Sequence, residues 1–359
     1  MIADAEPALT PGLAALLADP TCSVLRPRFE GCNICTWIGF KHVNYLVEEA
    51  VLEHFRAVGL PPGGLFEHYG LGLDISRIDS RILHALHLDD TVEAKVSPQG
   101  TGDAPTLTFR VTLSVPRGEA TLKAVTAWVG VSLRPDNYIE ADIEPAPALA
   151  PYTVPSGGQR PGGGGVYGRG TGQAAGRGSS TDPVLAQLTS DANAFGWKWR
   201  IPYIYCHFSE RLQMSGYLRQ MEEVVDLFLA DRGISIKSLL DARRWIPVVP
   251  HCRVSILADA LMEEDLYTIY TVEQVLKNLT YTSRMDCYVL RDGAMVHTAT
   301  GTITHGYAVI ENRREWRLVA FDDQVMAALS GAGSGAADAP AKEVGTDGRL
   351  PADREQRAR

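Results

Sequence analysis

The sequence predicts an α+β chain made of two copies of one unit, and three observations carry that prediction. First, residues recur at an offset of 174: Val47-Glu48-Glu49-Ala50-Val51 returns as Met221-Glu222-Glu223-Val224-Val225, and Gly59-Leu60 returns as Gly233-Ile234. Second, a helical pattern stands early in the unit. In the second copy Met221, Val224, Val225, Phe228 and Leu229 fall at i, i+3, i+4, i+7 and i+8, a wide apolar stripe. Third, strands follow the helix, because Leu107, Phe109, Val111, Leu113 and Val115 alternate with polar residues. One long helix followed by several long antiparallel strands implies a sheet curved around the helix. Two such copies in one chain build an internal pseudo-dimer.

The elements follow in order. Residues 22–150 form the first unit, with its helix running up to Gly59 and its strands beyond. Ile82-Leu83 maps at the same offset onto Ile256-Leu257, and Gly118, a hairpin signal, maps onto Gly293 after one inserted residue. Residues 151–183 read as a linker: from Pro155 to Thr181 the chain is dominated by Gly, with too little apolar surface to offset its ordering entropy. Residues 184–329 form the second unit, where Asp292-Gly293 marks a tight hairpin between Met285–Leu290 and Met295–Ile310. The tail, 330–359, is rich in Ala, Gly and charge and is expected to be unfolded.

Composition excludes several classes. A net charge of -9 over 359 residues argues against a nucleic-acid binder, which needs a basic face. Six cysteines, irregularly spaced, make no disulfide framework and indicate a reducing compartment. Cys32 and Cys35 form a lone C-x-x-C without the second pair that structural zinc needs, so no metal is expected. Without a secretory start or an apolar run of spanning length, a cytoplasmic location and no membrane partner are expected. There is no Walker loop, nucleophile elbow, H-E-x-x-H or dinucleotide fingerprint. Gly162–Gly165 is not a phosphate loop, since no strand leads in and no Lys-Ser/Thr follows.

The phrases Lys41-His42-Val43-Asn44-Tyr45-Leu46 and Tyr217-Leu218-Arg219-Gln220-Met221-Glu222-Glu223 are similar to helix starts of the thioesterase branch of the hotdog fold. There, sequences of the type HVN and YLRxxEE recur. Thr298–His305 and Ala124–Val129 resemble the last long strands of that branch. The resemblance covers about residues 25–145 and 195–325, and it is to double-hotdog acyl-thioesterases of the 4-hydroxybenzoyl-CoA and acyl-ACP types. It implies a tandem hotdog fold and a substrate carried on coenzyme A or an acyl carrier protein. It implies no bound cofactor, because the substrate brings its own pantetheine arm. A further homodimer stays open. His207-Phe208, with Gly216 nine positions after the His and then Leu218, resembles hotdog dehydratases of 3-hydroxyacyl carrier proteins. Both prolines of that pattern are replaced, by Ser209 and Ser215, and the first copy has Asn33 in place of the His.

Thioester hydrolysis must polarise a carbonyl and deliver water to it. Orphan amides at a helix start suit the first task, and a carboxylate suits the second. Ser215-Gly216 with Glu223 has the spacing of one hotdog subgroup, and Glu49 is the counterpart of Glu223 in the first copy. Acidic residues early in a helix also complement its dipole in solvent, which is the competing account of Glu222 and Glu223. His207 offers a general acid or base, although a histidine in an aromatic stretch is often a hydrogen-bonded core residue. His42 and Asn44 match the HVN phrase and, with Tyr217, are candidates for substrate contact; Ile38 and Phe40 stand where that phrase has acidic or amide residues. The expected catalytic set is therefore Glu223, His207 and Glu49, and the expected substrate-binding set is Ser215, Gly216, His42, Asn44 and Tyr217. The function expected is hydrolysis of an acyl-CoA or acyl-carrier-protein thioester in fatty-acid or polyketide metabolism. Dehydration of a 3-hydroxyacyl thioester, acyl transfer and non-catalytic acyl binding are the alternatives.

Overall fold

A computed structural model describes residues 6–101, 105–136, 146–155, 166–167, 182–190, 193–313 and 315–331. The first unit runs α1 (Glu6–Ala18), β1 (Thr21–Leu25), α2 (Phe40–Ala57), α3 (Pro62–Tyr69), β2 (Leu71–Ile82), β3 (Val92–Thr101), β4 (Leu107–Arg117) and β5 (Ala120–Pro135). After the short β6 (Val166–Tyr167) the order repeats. It runs α4 (Pro183–Thr189), β7 (Ala194–Arg200), α5 (Met214–Asp231), α6 (Ile236–Arg243), β8 (Trp245–Ile256), β9 (Asp265–Leu276), β10 (Thr280–Arg291) and β11 (Ala294–Ile310). β12 (Trp316–Val319) and α7 (Asp323–Ser330) close the chain.

The duplication seen in the sequence is thus a duplication of structure. α2 and α5, α3 and α6, and β2 and β8 are displaced by the same 174 positions at both ends. Both long helices end on a glycine in the left-handed region, Gly59 at φ 82° and Gly233 at φ 74°. Leu60 and Ile234 then donate back to Phe55 and Leu229, a stop that a residue with a Cβ would strain. The apolar stripe of α5 is buried as the spacing requires, with Met221, Val224, Val225, Phe228 and Leu229 all at most 4% exposed. In the turn between β10 and β11, Asp292 and Gly293 both have positive φ, and Arg291 pairs with Ala294 across it.

The strands form one antiparallel sheet in the order β1-β3-β4-β5-β2-β8-β11-β10-β9-β7, with β6 and β12 added to β11. The units join where β2 pairs with β8. At the centre of that seam Asp79 lies opposite Arg253, its own equivalent at the 174 offset, so a pseudo-two-fold axis passes between them. His251 Nε2 lies 3.0 Å from Asp79 Oδ1 across the seam. α2 packs on α5 over the same axis. The wholly buried Arg134 pairs with Asp74 of β2 and Asp259 of the second unit, tying the two halves together in the interior.

The sequence reading placed one helix in each unit and so missed α1, α3, α4, α6 and α7. Leu9 and Leu16 of α1 are buried, and His54 of α2 bridges the Leu16 carbonyl and Thr21. The assigned linker, 151–183, lies mostly outside the described residues. Its first residues pack, with Val154 buried and donating to Leu133, and its last begin α4. The assigned tail lies outside them beyond Gly331. Among the described residues no helix is long and apolar enough to cross a membrane. Limited proteolysis is expected to cut first between about residues 155 and 181, where Gly-rich sequence has few side chains with which to pack. The two fragments should then co-elute on size exclusion, held by the β2–β8 pairing and the α2–α5 contact. Fragments that separate without denaturant would contradict this.

Candidate active site

The start of α2 is an uncapped helix end facing a cavity. The loop before it folds back on itself: Cys32 bridges Ile38, the Asn33 amide donates to Trp37 O at 2.8 Å, and the Gly39 amide donates to Gly31 O at 2.9 Å. Gly39 is the N-cap, and among the described residues no side chain accepts from the turn it begins. The first helical bond is Val43 N–H to Gly39 O, at 3.0 Å. The amides of Phe40, Lys41 and His42 therefore have no acceptor within the helix, and the helix dipole adds positive potential where they converge.

That end opens on a cavity of about 830 Å³ between the units. Gly39, Phe40 and Lys41 line it from the first unit, and Arg219, Glu222 and Glu223 line it from α5 of the second. Its walls are largely apolar, including Ile82, Ile246, Val248 and Trp316, whose ring meets Trp37 edge-on at 5.9 Å. The charged groups fall into distinct states. Lys41 Nζ lies 2.5 Å from Glu222 Oε2, fastening α5 to the first turn of α2. Arg219 lies over Tyr45 and Tyr205, at 5.8 and 5.7 Å from the ring centroids, and bonds Glu30 at 3.4 Å. Glu223 is exposed on the lining, and no hydrogen bond or ion pair to it is formed among the described residues.

The structure brings only part of the expected set together. Glu223 lies in the cavity with the start of the other unit's helix, not with Ser215-Gly216 of its own. Gly216 is buried, its amide donates to Gln213 O, and an added Cβ would come within 2.5 Å of Leu212. Its role here is close packing. Tyr217 and Asn44 are wholly buried, and Asn44 donates to Phe40 O at 2.8 Å, bracing the first turn of α2. His42 packs behind that turn, 6% exposed and edge-on to Tyr45; burial lowers its pKa, with Lys41 adding to the effect. Glu49 is outside the cavity, in an ion pair with Arg56 at 2.6 Å. His207 and Ser215 meet each other, with Nε2 2.8 Å from Oγ, at the pseudo-equivalent position on the opposite side of the axis.

That opposite position is filled. Its counterpart of Ile34, which lines the cavity, is Phe208, with φ at 67°. The Phe208 ring lies on Gly72, where a Cβ would approach it to 2.9 Å, and meets Phe66 edge-on at 4.9 Å. The space left there is about 10 Å³, below what an acyl group needs. One half-site is open and the other is plugged by a phenylalanine.

Comparison with solved structures identifies the architecture. The chain is similar to a protein assigned as an oleoyl thioesterase from Lactobacillus plantarum, with a TM-score of 0.53 at 12% identity over 80% of this chain and 96% of that one. It is also similar to a 12:0-ACP thioesterase from Umbellularia californica, with a TM-score of 0.50 at 11% identity over 84% and 98%. The 4-hydroxybenzoyl CoA thioesterase from Pseudomonas sp. strain CBS-3 matches 38% of this chain over 99% of its own, at 12% identity and a TM-score of 0.35. No family profile and no curated protein sequence matches. The fold is a tandem hotdog, two α+β units making an internal pseudo-dimer.

Proposed function

We propose that the chain hydrolyses an acyl thioester in the cavity between the units. The observation that carries this is the meeting, across an apolar cavity, of a helix start at Gly39–Lys41 and the Glu223 carboxylate, neither of which has a side-chain partner among the described residues. The thioester carbonyl lies against the α2 amides, which are fixed before the reaction and so stabilise the oxyanion without reorganising. Glu223 takes a proton from water as the water oxygen bonds to the carbonyl carbon. The tetrahedral adduct then collapses, the carbon–sulfur bond breaks, and the departing thiolate takes the proton from Glu223. Glu222 is the poorer base because Lys41 already occupies it, and this ion pair holds the two helices in register. The acyl chain enters the apolar part of the cavity and the pantetheine arm of coenzyme A or a carrier protein leads out. This chain supplies no cofactor of its own.

The dehydratase alternative loses its histidine. His207 lies on the plugged side, away from the cavity that Glu223 lines. The test is release of free thiol from a panel of acyl-CoA and acyl-carrier-protein substrates. Wild type and His207→Ala should release thiol at rates within about threefold of each other, since no catalytic contact is removed. Conversion of a 3-hydroxyacyl thioester to the enoyl form, lost in His207→Ala, would overturn the assignment.

A further inference from the structure

The two units share a fold but not a core. In the first unit Val96, Leu107, Phe109, Val131 and Leu133 are all buried, at most 2% exposed. At the same five positions, 174 residues on, the second unit has Tyr270, Tyr281, Ser283, His305 and Tyr307, equally buried. The strand pairing confirms the equivalence, since Leu107 lies opposite Val131 and Tyr281 lies opposite His305; the two hairpin turns are equally long, Arg117 pairing with Ala120 as Arg291 pairs with Ala294, so the residue expected to be inserted before Gly293 is absent and Gly118 stands at the position of Asp292. The hydroxyls of Tyr270, Tyr281, Tyr307 and Ser283 neighbour one another without any pair reaching good hydrogen-bond geometry. Buried polar groups left unpaired cost stability. The fold does not require them, because the first unit closes with apolar residues at every one of these positions.

His305 connects this cluster to the cavity. It lines the cavity at 2% exposure, while Glu223 lines it exposed, so the histidine is on the floor and the carboxylate is at the mouth. Its ring stacks on Tyr281, with centroids 5.2 Å apart, at the point where the β8–β11 register breaks. Nδ1 is sealed from solvent and has no hydrogen-bond partner among the described residues, so contact with a molecule in the cavity falls to the other ring nitrogen, Nε2, which is not sealed. Burial pushes its pKa down to about 3, so the imidazole is neutral, with one donor and one acceptor nitrogen. Such a ring matches a hydroxyl or carbonyl group and offers no charge to a carboxylate.

We infer that the cavity selects an acyl chain carrying a neutral oxygen function, a hydroxyl or ketone, remote from the thioester, bound at the floor by His305 with the Tyr281 cluster behind it. This rests on the acyl-thioester reading above for what occupies the mouth. The test is titration calorimetry of the full chain with thioether analogues of acyl-CoA, which cannot be hydrolysed. Octyl, decyl and dodecyl chains are compared, each with and without a terminal hydroxyl. At the best-fitting length the hydroxylated chain should bind at least ~10-fold tighter, the scale of a site whose polar group is otherwise left unpaired. His305→Val, which copies Val131, should abolish or reverse that preference. Tyr281→Phe keeps the ring and so guards against a folding failure; it should reduce the preference. Equal or tighter binding of the plain chains by the wild type, absence of binding by every analogue, or a preference unchanged in both variants would overturn the inference. A retained preference without any hydrolysis of acyl thioesters would remove the hydrolase reading and leave this one standing. Hydrolysis without the preference would do the reverse.

Discussion

Glu223→Gln is expected to lower turnover of acyl thioesters by at least ~100-fold, the usual scale for a positioned acid–base group. Gln keeps the size of the side chain but cannot take a proton from water. The residue is exposed and forms no ion pair or hydrogen bond among the described residues, so the substitution removes no structural contact. Thermal stability and affinity for a thioether analogue should stay near wild type, which places the loss in the chemical step. Glu49→Gln is the internal control: its partner is Arg56 and it does not line the cavity, so turnover should change little. Equal, small effects at both positions would return Glu223 to a solvated helix face.

The second large effect is on stability and concerns Glu48. Its equivalent, Glu222, is neutralised by Lys41, but the equivalent of Lys41 is Ser215, which brings no charge. Glu48 consequently forms no ion pair or hydrogen bond among the described residues, and burial, reinforced by neighbouring Glu49, pushes its pKa up to about 8. Because the folded-state value lies above the unfolded one, the folded chain holds this proton more tightly. The stability tied to that proton is fully present below the ordinary carboxylate range and is lost as pH rises through about 8. Glu48→Gln removes the titration. It should leave the melting temperature almost unchanged near pH ~5 and raise it by about 5 °C or more near pH ~9, as a gain of a few kcal/mol implies for a domain of this size. A difference between variant and wild type that is independent of pH would contradict the burial of a lone carboxyl at this position.

The fold was legible in the sequence because its strongest signals are local and repeated. The 174-residue offset, the stripe of Met221 to Leu229 and the Asp292-Gly293 turn each express a backbone or packing requirement that any tandem copy must meet twice. α1, α3, α4, α6 and α7 were not legible: α3, α4, α6 and α7 run at most 8 residues, too short for a stripe to repeat, and α1 is apolar at most of its positions, so no one face stands out. The site was legible in part. Glu223 stood out because a carboxylate beside an apolar stripe is unusual, and the structure puts it on the cavity lining. Its helix-start partner was sought at Ser215-Gly216, which is nearest in sequence, whereas the pseudo-two-fold axis carries Glu223 to the start of α2. The repeat narrows the answer without giving it: two-fold symmetry requires that if residue i of one copy meets j of the other, j also meets i, but it does not fix which pair that is. The asymmetry between Ile34 and Phe208, and between Val131 and His305, was also present as aligned pairs. Its meaning depends on which of the two half-sites is open, and only packing shows that.

The account stands most directly on where the thioester carbonyl binds. A crystal structure of the wild type with a ketone analogue of acyl-CoA, in which a methylene replaces the sulfur, would locate it. The carbonyl oxygen should lie within hydrogen-bond reach of the amides of Phe40 and Lys41 at the start of α2, with the Glu223 carboxylate on the face from which water attacks and the acyl chain directed toward His305. A carbonyl found at the start of α5, beside His207 and Ser215 with Phe208 displaced, would contradict it.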